Sequence, residues 1–226
     1  MTRLIVLAAA SALAVAACSK APEKAAPAAV EKAPAAAPAK VEIPAGGYKL
    51  DPLHSTLIAR LNHLSFSQYT VLFTTFDAKM QLDPANLSAT TLEVSIDPRS
   101  IALPAPPAGF KAELLGADWL DAGRFSTVTF RSTAVQPTGP DTATITGDLT
   151  LRGVTKPVTL QAKFNGGYRG FAMDPAARAG FSAHGSFKRS DFGIAYGIPA
   201  PGSTMGVGDE VQIIVETEFT GPPLPK

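Results

Sequence analysis

Residues 142–164 read TATITGDLTLRGVTKPVTLQAKF, and this stretch decides the fold. Ala143, Ile145, Gly147, Leu149 and Leu151 take every second position, with Thr142, Thr144, Thr146, Asp148 and Thr150 between them. The alternation resumes with Val158, Leu160, Ala162 and Phe164 against Thr159, Gln161, Lys163 and Asn165. A period of two sends successive side chains to opposite faces of a strand, so each run has one buried and one wet face. The link Arg152-Gly153-Val154-Thr155-Lys156-Pro157 is short, and Gly153 can take positive φ without steric penalty. It predicts a tight hairpin turn.

The same rhythm extends outward along the chain. Leu92, Val94 and Ile96 alternate with Thr91, Glu93, Ser95 and Asp97, and Val211, Ile213 and Val215 alternate with Gln212, Glu216 and Glu218, Ile214 being the exception. Strands are expected near 47–52, 55–64, 70–82, 89–98, 125–136, 141–152, 156–166, 179–189 and 209–220. Phe110, Leu114, Leu115 and Trp119 instead recur at helical spacing, which predicts one short helix near 108–120 crossing an end of the sheet. Sequential hairpins of this kind form either an up-and-down barrel or a sandwich.

The inward rows carry a further pattern. Ala59 sits between Leu57 and Leu61, Ala78 between Phe76 and Met80, and Gly147 between Ile145 and Leu149. Ala162 sits between Leu160 and Phe164, while Ala183 and Gly185 sit between Phe181 and Phe187. A barrel of about eight strands is only just filled by ordinary side chains, or holds one small ligand. Small residues at mid-strand therefore predict a long apolar tunnel. A flattened barrel whose opposite walls pack closely is the other reading of the same rows.

The first residues do not belong to this domain. Arg3 precedes an apolar run, Leu4 to Ala17, broken only by Ser11 and too short for a membrane span of roughly 20 residues. It ends in Val15-Ala16-Ala17-Cys18, which resembles the lipobox of bacterial lipoprotein precursors, where the cysteine thiol is lipidated after cleavage before it. Residues 1–17 are thus expected as a removed signal peptide and Cys18 as the lipidation site and membrane anchor. Cys18 is the only cysteine, so no disulfide competes for it. Ser19 in place of Asp is expected to sort the protein to the outer membrane, facing the periplasm. Residues 18–45, nearly all Ala, Pro, Lys and Glu, are expected to be a disordered tether, since prolines interrupt any helix and nothing large and apolar can order it. The domain is expected over 46–221, with a Pro-rich tail at 222–226.

Losing residues 1–17 takes Arg3 and leaves nineteen basic against nineteen acidic side chains. A near-neutral chain has no field to attract nucleic acid. His54, His63 and His184 lie at no metal-ligand spacing, and no CxxC, G-x-S-x-G or phosphate-cradling glycine motif occurs. No cofactor, metal or catalytic group is expected. His63 shares parity with Leu57, Ala59 and Leu61, and Arg189 shares it with Phe181 and Phe187, so both are placed at the rim of the interior, where they could meet a ligand head group. A backbone-satisfied histidine and a surface ion pair are the alternatives.

Tyr48-Lys49-Leu50-Asp51, His54-Ser55, Phe76-Asp77 and Asp118-Trp119-Leu120-Asp121, together with the hairpin block 145–158 and Arg189-Ser190-Asp191-Phe192-Gly193, resemble the YceI-like family of lipocalin-like, polyisoprenoid-binding barrels. The likeness runs over about residues 47–220. It implies an all-β, lipocalin-like up-and-down antiparallel barrel of about eight strands that binds a long isoprenoid-type lipid, a quinone or a prenyl phosphate. The expected ligand-contacting residues are Leu57, Ala59, Leu61, His63, Phe76, Ala78, Met80, Ile145, Gly147, Leu149, Leu160, Ala162, Phe164, Phe181, Ala183 and Arg189. Phe110-Lys111-Ala112-Glu113-Leu114 departs from the family, whose corresponding run carries an Arg and a His. The leading expectation is a lipid-anchored, non-enzymatic carrier. The alternatives are an envelope-stress or scaffold lipoprotein using the barrel surface for protein contacts, or an isoprenoid-directed enzyme with Asp118 as acid or base.

Overall fold

A computed structural model describes residues 43–223. Cys18, the signal peptide, most of the tether and residues 224–226 lie outside the described residues. The strands are β1 (Gly46–His63), β2 (Ser67–Phe73), β3 (Phe76–Leu82), β4 (Thr91–Ile96), β5 (Ile101–Ala102), β6 (Val128–Pro137), β7 (Thr142–Leu151), β8 (Val154–Tyr168), β9 (Ala176–Lys188) and β10 (Val207–Pro223), with one helix, α1 (Phe110–Leu114). Eight of them close into an antiparallel barrel in the order β1-β10-β9-β8-β7-β6-β4-β3, and the ring returns to β1. β2 prolongs the line of β3 along the C-terminal half of β1, and β5 pairs with β2. The tunnel-bearing barrel, rather than a sandwich, is the architecture.

Element boundaries differ from expectation for local reasons. The two strands expected at 47–52 and 55–64 are one strand, β1. Asp51 pairs with Glu218 and Thr56 with Glu216, so Pro52 to Ser55 form a bulge in an otherwise continuous ladder. Pro52 has no N–H to give the ladder, and Ser55 closes the excursion by donating to the Asp51 carbonyl at 2.7 Å and accepting from the Glu218 amide at 3.1 Å. The single strand expected over 70–82 breaks instead at Thr74-Thr75. There the neighbouring line also breaks, at 97–100, and the two corners are stitched together. The Thr74 amide and hydroxyl both donate to the Ser100 carbonyl, and the Asp97 amide donates to the Thr75 carbonyl.

The hairpin between β7 and β8 forms as expected. Arg152 and Gly153 both have positive φ, 51° and 73°, the pattern of a type I′ turn. A side chain at Gly153 would also run into the Phe125 ring, so space as well as conformation demands glycine. The Arg152 guanidinium reaches back to the carbonyls of Ala117 at 2.9 Å and Gly193 at 3.0 Å, fixing the hairpin to the segments that cover this end of the barrel.

Those segments make a floor. α1 is only five residues long, shorter than the expected 108–120, because turns take over from Gly116 and Asp121 enters the left-handed region at φ 46°. Leu114 is nevertheless buried against Ala59, Val71, Ile101 and Val211. Arg189 locks the floor from the other side. It is 2% exposed, and its guanidinium donates to the carbonyls of Gly208, Ile194, Tyr196 and Val207 at 2.8–3.0 Å while lying 4.8 Å over the Trp119 ring. Burial draws its pKa down from the usual arginine value, and the Asp209 carboxylate opposes this. The expected rim position is therefore corrected: Arg189 belongs to the closed end and is held by backbone oxygens.

The small inward residues are of two kinds. A side chain at Gly147 would collide with the Phe130 ring and the Arg131 carbonyl, where β6 carries a bulge at Thr133. One at Gly185 would meet the Thr159 carbonyl and Leu160. These two glycines serve close packing, the flat-core reading of their rows. Ala162 and Ala183 instead face open space in the interior, and Ala59 and Ala78 also line it, though each is buried among neighbouring core side chains. The domain also begins slightly earlier than Gly46, since Ile43 packs on the core and Tyr48 donates its hydroxyl to the Pro44 carbonyl at 2.8 Å.

Two stability predictions follow from this packing. Arg189→Met leaves buried carbonyls without donors and is expected to lower the unfolding free energy by about 3–5 kcal/mol; an unshifted urea midpoint would contradict the lock. Gly147→Leu is expected to destabilise by about 1–3 kcal/mol through overpacking against Phe130, read as a drop in thermal midpoint, with Phe130→Ala in the same chain recovering part of it.

Candidate functional site: an apolar cavity in the barrel

The barrel encloses a cavity of about 1030 Å³. Every strand of the ring presents alternate residues to it, which is why the period-two rows located its walls. Leu57, Ala59, Leu61, Phe76, Ala78, Met80, Ile145, Leu149, Leu160, Ala162, Phe164, Phe181 and Ala183 all line it, and Arg189 touches its floor. Phe76, Ile145, Leu160, Ala162, Phe181 and Ala183 point inward from fully paired strands yet are only half-buried. Nothing stands opposite them, and that is the signature of a hollow rather than a packed core.

Two expected residues are not on the wall. Gly147 is covered by the Phe130 ring. His63 is exposed and lies past the bulge at the end of β1, its ring 6.4 Å from that of Tyr69. Its parity was inward, but the strand outruns the cavity at the closed end. The mouth is at the opposite end. There the exposed lining residues gather: Pro84 after β3, Pro140 and Asp141 before β7, and Lys163 and Asn165 near the end of β8. Lys163 and Asp141 are the charged groups among the lining residues there, so a polar head group at the mouth would meet one cation and one anion.

Sequence reasoning also passed over Leu92, Val94, Trp119, Val211, Ile213 and Val215, which complete the wall and floor. The alternation of β4 and β10 was visible, but these rows lack a small central residue and so did not stand out. Trp119 had no such signal, because its place depends on how the segment after α1 folds across the barrel. Its ring packs edge-on to Tyr196 at 5.8 Å and over Arg189. Toward the mouth, Phe164, Phe181 and Phe219 form an aromatic series with centroid spacings of 5.4 and 6.0 Å.

Along its length the cavity can solvate an apolar molecule. Asp118 is exposed and does not line the cavity. Among the described residues, Asp51, His54 and Glu218 bring metal-ligand atoms within 4.8 Å of one another, on the outer wall. The Asp51 carboxylate there already accepts from His54 and from the Arg178 guanidinium, both at 3.0 Å. The His54 hydrogen bond holds Asp51 below its usual pKa, and the same bond raises that of His54. The Asp51 carboxylate is thus already shared between an imidazole and a guanidinium.

Comparison with known proteins agrees with this architecture. The YceI-like domain profile matches residues 48–219. A UPF0312 protein of Pseudomonas putida is 38% identical over 164 residues, covering 71% of this chain and 80% of that protein. The crystal structure of Burkholderia cenocepacia BcnA superposes with a TM-score of 0.63 at 27% identity, covering 75% of this chain and 98% of BcnA. A domain from Saccharophagus degradans described as polyisoprenoid binding shares the fold, with a TM-score of 0.54 at 13% identity over 77% of this chain and 98% of that domain. With a profile match that spans nearly the whole barrel and a relative this similar, the chain belongs to the YceI-like family.

Proposed function

We propose that the protein is a carrier or store for a long-chain isoprenoid-type lipid, a quinone or a prenyl phosphate, held in the barrel and kept at the periplasmic face of the outer membrane by a lipid on Cys18. The cavity carries this reading. A volume of about 1030 Å³ walled almost entirely by Leu, Ile, Val, Phe, Ala and Met offers nothing to a polar ligand along its length. Each chain methylene moved from water into such a wall contributes about 0.8 kcal/mol. The closed floor and single polar mouth suit a molecule with one polar end, its chain inside and its head group near Lys163 and Asp141. The Saccharophagus domain, described as polyisoprenoid binding, has the same fold and supports the same ligand class. The lipobox residues Val15-Ala16-Ala17-Cys18 support the anchored form. No catalytic step is assigned to the site.

Lipid extraction tests the ligand. The Cys18→Ala protein, secreted by a bacterial host and purified without detergent, is expected to release about one long-chain amphiphile per chain on mass spectrometry. Protein that is repeatedly recovered empty and takes up neither ubiquinone nor a prenyl phosphate would sink the proposal. Ala162→Phe with Ala183→Phe should obstruct the cavity at mid-height, leave the circular dichroism spectrum unchanged and cut lipid recovery at least tenfold, a loss of about 1.4 kcal/mol or more in binding. Full recovery from that variant would place the ligand elsewhere. Incorporation of labelled palmitate into the wild-type chain, lost in Cys18→Ala, is the expected result for the anchor.

A further inference from the structure

The connection from β8 to β9 is a braced projection rather than a loose loop. Phe171 and Asp174 form a β-bridge, the Phe171 amide donating to the Asp174 carbonyl at 2.8 Å, so that Ala172 and Met173 make the tip. Tyr168 Oη donates to Asp174 Oδ2 at 2.8 Å, and Arg178 Nε donates to the same oxygen at 3.2 Å. Arg178 then continues to Asp51 on β1 at 3.0 Å and to Thr220 on β10 at 2.9 Å. The Tyr168 and Phe171 rings pack at 5.6 Å. Four strands, β8, β9, β1 and β10, thus hold the tip in place.

What the tip presents is apolar. Met173 is 91% exposed and Phe171 51%, and on the other side of the Asp51–Arg178–Asp174 network Leu53, on the β1 bulge, is 88% exposed. Exposed single apolar residues are ordinary, but a braced turn that holds two large ones outward, with a third on the bulge tied to it, has no folding purpose. Their position supplies one. Asn165 and Gly166, just before the base of the projection, line the cavity mouth, and so does Ile43, where the described chain begins. The forty-two residues that precede Ile43 therefore join the barrel at its open end. A membrane-attached Cys18 would leash the barrel to the bilayer by that end. The ion pairs of the projection are internal and the chain is nearly neutral, so attachment would rest on apolar insertion rather than on charge.

We infer that Phe171, Met173 and Leu53 form a membrane-docking rim that seats the cavity mouth on a phospholipid surface, where lipid passes between bilayer and barrel. The inference rests on the carrier reading for its purpose and on the projection for its geometry. The closed end provides a control, because Phe66 and Met205 there are also exposed, at 83% and 73%.

The test places an environment-sensitive nitrobenzoxadiazole label at Met173→Cys or at Met205→Cys. It is read on vesicles of phosphatidylethanolamine and phosphatidylglycerol, in the full lipidated chain and in the Cys18→Ala chain at rising vesicle concentration. The expected result is blue-shifted emission and quenching by a doxyl phospholipid at position 173, and water-like emission at 205. Phe171→Ser with Met173→Ser, whose side chains lie outside the core, should cut vesicle partitioning of the Cys18→Ala chain about tenfold. Water-like emission at 173 in both chains, or immersion at 205 instead, overturns the inference. A position 173 that stays wet on vesicles but crosslinks to a protein in the intact envelope assigns the rim to a protein partner and also overturns it. Lipid-free protein whose position 173 is immersed sinks the carrier reading alone, and lipid-loaded protein whose position 173 stays wet sinks docking alone.

Discussion

The pairing of β1 with β10 is the constraint on which the rest depends. It runs from Lys49–Thr220 to His63–Val207 and joins the first strand of the domain to the last. An open sheet of these strands would leave two unpaired edges and an uncovered apolar face. Once the ring is closed, strand number fixes the diameter, and the interior can no longer adjust its volume to its side chains. Ala59, Ala78, Ala162 and Ala183 do not reach across that diameter, so the barrel is hollow by construction.

A hollow barrel needs a floor, and two arginines hold it together. Arg152 and Arg189 both give their guanidinium donors to backbone carbonyls, at the β7–β8 hairpin tip and in the segment after β9. Those carbonyls belong to irregular chain that cannot satisfy itself in a ladder, and each arginine gathers several of them. The floor is thereby tied together while the cavity above it keeps an apolar surface. Charge reappears at the mouth, in Asp141 and Lys163. The polarity of the site along the barrel axis thus follows from where irregular backbone has to be satisfied.

The departures from expectation share one cause. Pro52 to Ser55 and Thr74-Thr75 read locally as the end of one strand and the middle of another. The structure reverses this because each is judged by its partner: Glu216 to Glu218 keeps β1 continuous, while the corner at 97–100 breaks β2 from β3. Gly147 and Ala162 look alike in their rows, yet Phe130 from the neighbouring strand fills the space beside the first and nothing fills the space beside the second.

The sequence by itself determined most of the strands, their inward faces, a tight turn within 152–157 and therefore most of the cavity wall, because side-chain alternation and turn propensity are properties of a few consecutive residues. It also contained the alanines that leave the interior empty. Only the tertiary structure decided which end is closed, and with it the fate of His63 and Arg189. Inward parity brings a residue to the barrel axis but says nothing of its height relative to the floor, which is set by how α1, Trp119 and the chain after β9 pack across one end. That packing joins residues far apart in the chain, and no local pattern encodes it.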